Sequence, residues 1–154
     1  MSQGGKGHEP FCAVRWAGGD PRSFDVLIID DNEDDQQLMA INLGKIWPFE
    51  SDLSVEYASD GATALEKIGR TRFALVILDW KMPLMGGREI LLDIRRSGAR
   101  IPVVVVSGLQ REAIGEELES LQAAYLSKDE MVPDKLRDAI TGSLRLLGLA
   151  GASV

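Results

Sequence analysis

The chain has 154 residues, 45% of them hydrophobic and 27% charged, with a formal net charge of −7. That balance fits one soluble globular domain with a sizeable core, and the acidity argues against a nucleic-acid binder that relies on phosphate contacts. A single cysteine, Cys12, excludes an internal disulfide framework and suits a reducing cytoplasm, and no apolar run approaches the ~20 residues that span a bilayer.

Residues 1–23 are rich in glycine and polar residues and carry no sustained period, so they read as an N-terminal extension before a domain at 24–148 and a tail at 149–154. His8 has no companion ligand. Cys12 and Trp16 suit a small flap. Phe24–Ile29 is an apolar run broken only by Asp25, as in a strand covered on both faces. It ends in Asp30-Asp31. The acids Glu33, Asp34 and Asp35 then suit a helix N-terminus. Leu38, Met39, Leu43, Ile46 and Trp47 recur at helical spacing until Pro48. Leu53–Ala58 predicts a second strand. Ser59-Asp60-Gly61 offers a cap to a helix with Ala62, Leu65 and Ile68 on one face.

Phe73–Leu78 predicts a third strand, ending at Asp79 and followed by a turn with Pro83 and the pair Gly86-Gly87. Ile90, Leu91 and Ile94 form a helical face closed by Gly98. Ile101–Val106 is a β-branched fourth strand that runs into Ser107-Gly108. A helix over Gln110–Leu121 turns Ile114 and Leu118 inward. Ala123–Leu126 is a short fifth strand before Ser127-Lys128-Asp129. Pro133 fits a first helical position, and Leu136, Ile140, Leu144 and Leu147 make an apolar stripe. Five strands alternating with five helices predict a three-layer α/β domain around a parallel sheet.

The polar residues that break the pattern stand at the carboxyl ends of strands, where open α/β sheets bind ligands: Asp30, Asp31, Asp79, Ser107 and Lys128. If the first and third strands are neighbours, about 4.8 Å apart, three carboxylates crowd together. A divalent cation with hard oxygen ligands relieves that repulsion, and Mg²⁺ suits it. An aspartate can attack a phosphoryl donor and form an acyl phosphate once a cation and a lysine offset the charge, while a hydroxyl such as that of Ser107 holds a phosphoryl oxygen.

Together, Asp30-Asp31, Asp79-x-x-Met82-Pro83-x-Met85-x-Gly87, Ser107-Gly108 and Tyr125-x-x-Lys128 resemble the receiver domain of two-component response regulators, over roughly Phe24–Leu147. The resemblance implies a flavodoxin-like sheet in the order 2-1-3-4-5. It implies Asp79 as acceptor of a phosphoryl group from a sensor histidine kinase or phosphotransfer protein, with Asp30, Asp31, Asp79 and the backbone carbonyl of Lys81 as Mg²⁺ positions. Ser107 and Lys128 match the phosphate contacts, and Ser107 and Tyr125 the switch. Signalling would pass through the face of the fourth helix, fifth strand and fifth helix. The acids at Glu33–Asp35 are similar to the single-domain subgroups, chemotaxis-type or associated with phytochrome-type kinases. The expectation is a stand-alone, cytoplasmic phosphoacceptor rather than a turnover enzyme. No DNA or membrane partner is expected, the downstream target is unnamed, and homodimerisation is left open.

Two departures bear on the site. The family usually has a cis proline after the lysine, and here Asp129 follows; a cis bond to a non-proline residue costs ~2.5–4 kcal/mol, so the bond is either trans in a different loop or strained. Lys81 stands two residues after the acceptor, where related phosphatases carry a second acid. This weighs against a small Mg²⁺-dependent phosphatase or phosphotransferase, and the intact acids, hydroxyl and lysine weigh against a pseudo-receiver that binds partners without phosphorylation.

Overall fold

The computed structural model describes residues 23–46, 52–81 and 86–148. His8, Cys12, Trp16, Trp47, Pro48, the Met82–Met85 part of the turn and the tail at 149–154 lie outside those residues. The elements are β1 (Ser23–Ile29), α1 (Glu33–Ile46), β2 (Asp52–Ala58), α2 (Gly61–Arg70), β3 (Leu75–Asp79), α3 (Gly87–Arg96), β4 (Val103–Ser107), α4 (Arg111–Ser120), β5 (Ala123–Ser127) and α5 (Pro133–Leu146). All strand pairs are parallel, in the order β2-β1-β3-β4-β5.

Strand periodicity divides the core in two, since alternate side chains leave opposite faces of a sheet. Val26, Ile28, Leu75, Ile77, Val104, Val106 and Leu126 pack on Met39, Leu43 and Ile46 of α1 and on Leu136, Ile140 and Leu144 of α5. Leu27, Ile29, Val76, Leu78, Val103 and Val105 pack on Ala64 of α2, on Ile90, Leu91 and Ile94 of α3, and on Ile114 and Leu118 of α4. This double cover explains why β1, β3 and β4 read as unbroken apolar runs.

Two predicted faces shift. On α1 the inward stripe is Gln36, Met39, Leu43 and Ile46, while Leu38 is 47% exposed, because it sits about 100° around the helix from Met39. On α2 Leu65 and Ile68 pack against the core as expected, but Ala64 joins them in place of Ala62, which is exposed. Strand four starts at Val103 rather than Ile101, because Pro102 has no N–H for the ladder; its carbonyl still accepts from Val76 N at 2.9 Å. The α2 cap is as expected: the Asp60 carboxylate accepts from Thr63 N at 2.7 Å. Gly98, past the end of α3, has φ +85°, a conformation in which a side chain would be strained.

Among the described residues no peptide bond is cis, so Lys128–Asp129 is trans. Asp129 has the N–H that proline lacks and donates it to Ser127 Oγ at 3.2 Å, opening a short 3-10 turn over Lys128–Glu130.

Arg95 ties the lower end of the domain together. Its guanidinium donates to the carbonyls of Leu121 (2.8 Å), Ile101 (2.9 Å), Gln122 (3.1 Å) and Ala99 (3.3 Å). The segment it holds includes Gln122, whose φ of +59° is unfavourable for a residue with a side chain. Arg95→Met keeps the aliphatic stem and removes the donors. We expect about 2 kcal/mol less stability, read from the urea midpoint, since several carbonyls lose a charged donor at once. An unchanged midpoint would remove this role.

Candidate functional site

Two strand ends meet at the carboxyl edge of the sheet. Asp30 follows β1, Asp79 closes β3, and β1 and β3 are hydrogen-bonded neighbours. Ligand oxygens of Asp30, Asp31 and Asp79 all lie within 4.8 Å of one another. Asp30 is 7% and Asp79 4% exposed, and Asp31 faces solvent. The three acids singled out in the sequence therefore do converge.

Local hydrogen bonds fix the acids in place. Asp30 Oδ1 accepts from Asn32 N at 3.0 Å, and Asp79 Oδ1 accepts from Lys81 N at 3.3 Å. The Asn32 side chain caps α1 by accepting from Asp35 N at 3.0 Å. Gln36 donates through Nε2 to the Asp30 carbonyl at 2.6 Å and to Ser59 Oγ at 3.3 Å. Its burial beneath Asp30 was not anticipated. The signal available was a polar residue on the stripe of Met39, Leu43 and Ile46.

Lys128 leaves the end of β5 and reaches the same cluster. Its Nζ lies 3.6 Å from Asp79 Oδ1 and 3.7 Å from Asp35 Oδ2. Asp35, one of the acids that suit the start of α1 in the sequence, thus lies beside the site. The Lys81 side chain is exposed, and it is the Lys81 backbone that meets the cluster, through the N–H already described.

Electrostatics follow from this crowding. Burial pushes the Asp30 carboxyl up, the Asn32 N–H pulls it down, and the charges of Asp79 and Asp35 push it up again, to about 7. Burial also raises Asp79, against the lowering influence of Lys128 and the Lys81 N–H. Burial lowers Lys128, but the carboxylates of Asp79, Asp30 and Asp35 outweigh it and hold the ammonium above its ordinary range. Desolvated carboxylates so close together form a donor set of hard oxygens that fits a divalent cation such as Mg²⁺.

Ser107 is 1% exposed and stands one residue beyond Val106, the β4 partner of Asp79. Its Oγ accepts from Leu109 N at 2.9 Å, and the Leu109 carbonyl accepts from Tyr125 Oη at 2.6 Å. One peptide segment thus links Ser107 to Tyr125. The Arg111 guanidinium carbon lies 5.8 Å from the Tyr125 ring centroid, a cation–π contact.

Gly87 has a reason to be glycine. Its N–H donates to the Trp80 carbonyl at 3.0 Å, and a Cβ there would meet the Asp79 carbonyl at 2.6 Å and Trp80 Cα at 2.8 Å. Both obstacles are backbone. Gly87→Ala is expected to lower stability by about 1–3 kcal/mol, the range for overpacking, in urea denaturation. A neutral result would show that the turn yields freely.

A family model described as response regulator receiver domain matches residues 26–141. The chain belongs to the response regulator receiver family. Curated relatives of this receiver include the protein-glutamate methylesterase/protein-glutamine glutaminase of Treponema denticola, 33% identical over 98 residues, covering 63% of this chain and 25% of that protein. Response regulator MprA of Mycobacterium leprae is 36% identical over 78 residues, covering 49% of this chain and 33% of that protein. The receiver thus spans a quarter to a third of the length of these two relatives. Among solved structures, the chemotaxis protein CheY4 of Vibrio cholerae is 26% identical with a TM-score of 0.64, covering 75% of this chain and 94% of that one. The signal receiver domain of a putative LuxO repressor protein from Vibrio parahaemolyticus, at 21% identity and a TM-score of 0.70, supports the fold alone. The predicted class and strand order hold. Receiver domains are phosphoacceptor modules of two-component signalling. No helix among the described residues is long and apolar enough to cross a membrane.

Proposed function

We propose that this receiver accepts a phosphoryl group on Asp79 from a sensor histidine kinase or phosphotransfer protein. The carrying observation is the convergence of Asp30, Asp31 and Asp79, with Lys128 Nζ 3.6 Å from Asp79. Asp30, Asp31, Asp79 and the Lys81 carbonyl would hold Mg²⁺, which when bound offsets the charge of the carboxylates and of the arriving phosphoryl oxygens. Asp79 acts as nucleophile: one of its oxygens bonds to phosphorus, and the donor's bond to phosphorus breaks with its electron pair leaving on the donor. Lys128 holds one phosphoryl oxygen and Ser107 donates its hydroxyl to another.

Output follows from the same contacts. To reach a phosphoryl group that carries about −1.5 to −2 charge, Ser107 turns and gives up the Leu109 N–H. The Leu109 segment then moves, and with it the hydroxyl bond of Tyr125. The change emerges on the surface of α4, β5 and α5, which we propose as the face read by the downstream partner. A groove of about 850 Å³ lies there, with Arg111, Tyr125, Lys135 and Arg145 in its lining.

The test is incubation with Mg²⁺ and acetyl phosphate, followed by intact-mass and peptide mass spectrometry. The expected result is one added phosphoryl group on the peptide containing Asp79, lost when Mg²⁺ is chelated. Labelling on another residue, or none, would overturn the assignment.

A further inference from the structure

Lys128 does not sit wholly on the acceptor. Its Nζ is about as near Asp35 Oδ2 (3.7 Å) as Asp79 Oδ1 (3.6 Å), so one ammonium is shared between two carboxylates. The two partners differ in setting: the Asp79 side chain is 3% exposed and that of Asp35 is 44% exposed. Asp35 is also firmly placed. It lies in the first turn of α1, its N–H is held by the Asn32 cap, and the turn is pinned beneath by Gln36 on the Asp30 carbonyl. A second tie joins α1 to the chain beyond Lys128, with Asn42 Nδ2 donating to the Met131 carbonyl at 3.4 Å.

We infer that Asp35 is a positioning residue that seats the Lys128 ammonium at the rim of the site, part-way off Asp79. The inference rests on the proposed role of Asp79 as acceptor. A lysine wholly on Asp79 would tie up the oxygen that must meet phosphorus and would compete with a cation for the same carboxylate. Sharing it with Asp35 leaves the Asp79 oxygen available and keeps the ammonium within reach of the arriving phosphoryl group. Release from Asp35 is easy, because an exposed carboxylate is readily rehydrated and its ion pair is weak. With acetyl phosphate the step balances as follows. An Asp79 oxygen bonds to phosphorus, the bond from phosphorus to the acetate oxygen breaks, and its electron pair leaves on acetate. Lys128 exchanges Asp35 for a phosphoryl oxygen and stays protonated throughout.

Charge alone makes the opposite prediction for labelling, since removing an acid should ease the approach of an anionic donor. The full chain is therefore compared as wild type, Asp35→Asn, Asp35→Glu, Lys128→Met and the double variant Asp35→Asn/Lys128→Met. Initial labelling with acetyl phosphate is followed by intact mass, and Mg²⁺ binding by calorimetry. Asp35→Asn should label about fivefold more slowly, the scale of one half-exposed ion pair, and Asp35→Glu should restore most of the rate. Asp35→Asn should also weaken Mg²⁺ binding, but by less than about twofold once Lys128 is Met, because the effect runs through the lysine. Equal or faster labelling of Asp35→Asn would overturn the inference, as would an undiminished Mg²⁺ effect in the Lys128→Met background. A wild type that takes no phosphate while the Mg²⁺ cycle behaves as stated would defeat the acceptor role and leave the seat of Lys128 standing.

Discussion

Asp79→Asn is expected to abolish phosphoryl labelling, with a fall of more than about a hundredfold in initial rate, while the protein stays folded. The carboxylate oxygen is the nucleophile, and a neutral amide in its place does not attack phosphorus at a useful rate. Neighbouring acids are poor substitutes. Asp30 Oδ1 is engaged by the Asn32 N–H, and Asp31 faces solvent. Stability separates chemistry from unfolding. Burial raises the Asp79 carboxyl from its ordinary range, so its ionised form is held in the fold at a penalty that asparagine does not carry. The urea midpoint of Asp79→Asn at pH 8 should therefore equal or exceed that of the wild type. A variant that still labels at the wild-type rate would remove Asp79 from the mechanism. One that loses both labelling and fold would show that the carboxylate is structural.

The second large effect is on stability against pH and Mg²⁺. The folded Asp30 carboxyl is raised to about 7 from 3.8, and Asp79 is raised as well. Between those two values the native state binds more protons than the unfolded state, so stability falls as pH rises. The contribution is fully present below about pH 4 and is lost as pH passes through about 7. For Asp30 the loss is on the order of 4 kcal/mol in the cation-free protein. Replacing Asp30 by Asn removes the titrating group, so the variant should be more stable than the wild type at pH 8 without Mg²⁺ and nearly equal to it near pH 4. A cation bound by the same oxygens competes with those protons, so Mg²⁺ should raise the wild-type melting temperature more at pH 8 than at pH 5.5 and should do little for Asp30→Asn. The measurement is thermal unfolding across that pH range, with and without Mg²⁺. A wild type whose cation-free stability climbs from pH 5 to pH 8 would contradict this account of the acidic cluster.

Both expectations trace to a geometry that was partly legible in the residues. A β-branched run buried on both faces needs no partner to be recognised, because alternation, run length and the punctuation by Asp, Gly and Pro are local properties. Hence β1, β3 and β4, the cap at Asp60, the stop at Gly98 and the start of α5 at Pro133 all follow from the chain read in order. The convergence of Asp30, Asp31 and Asp79 was legible at one remove, because a parallel sheet of this order must bring the ends of β1 and β3 together.

Other features were decided by the fold alone. Asp35 belongs to the first helix and Lys128 to the turn after the last strand, and their 3.7 Å approach depends on how α1 and α5 share one face of the sheet. Gln36 became the support of Asp30, and Leu38 turned outward, because packing set the rotation of α1, which a loose apolar pattern constrains only within a turn. The trans bond at Lys128–Asp129 and the link from Ser107 through Leu109 to Tyr125 likewise arose in the assembled loops. Composition and periodicity determined which segments are strands and helices and which acids end them. Distances between charges were left to tertiary packing, because electrostatic coupling depends on separation and burial, and neither is a property of any single stretch of chain.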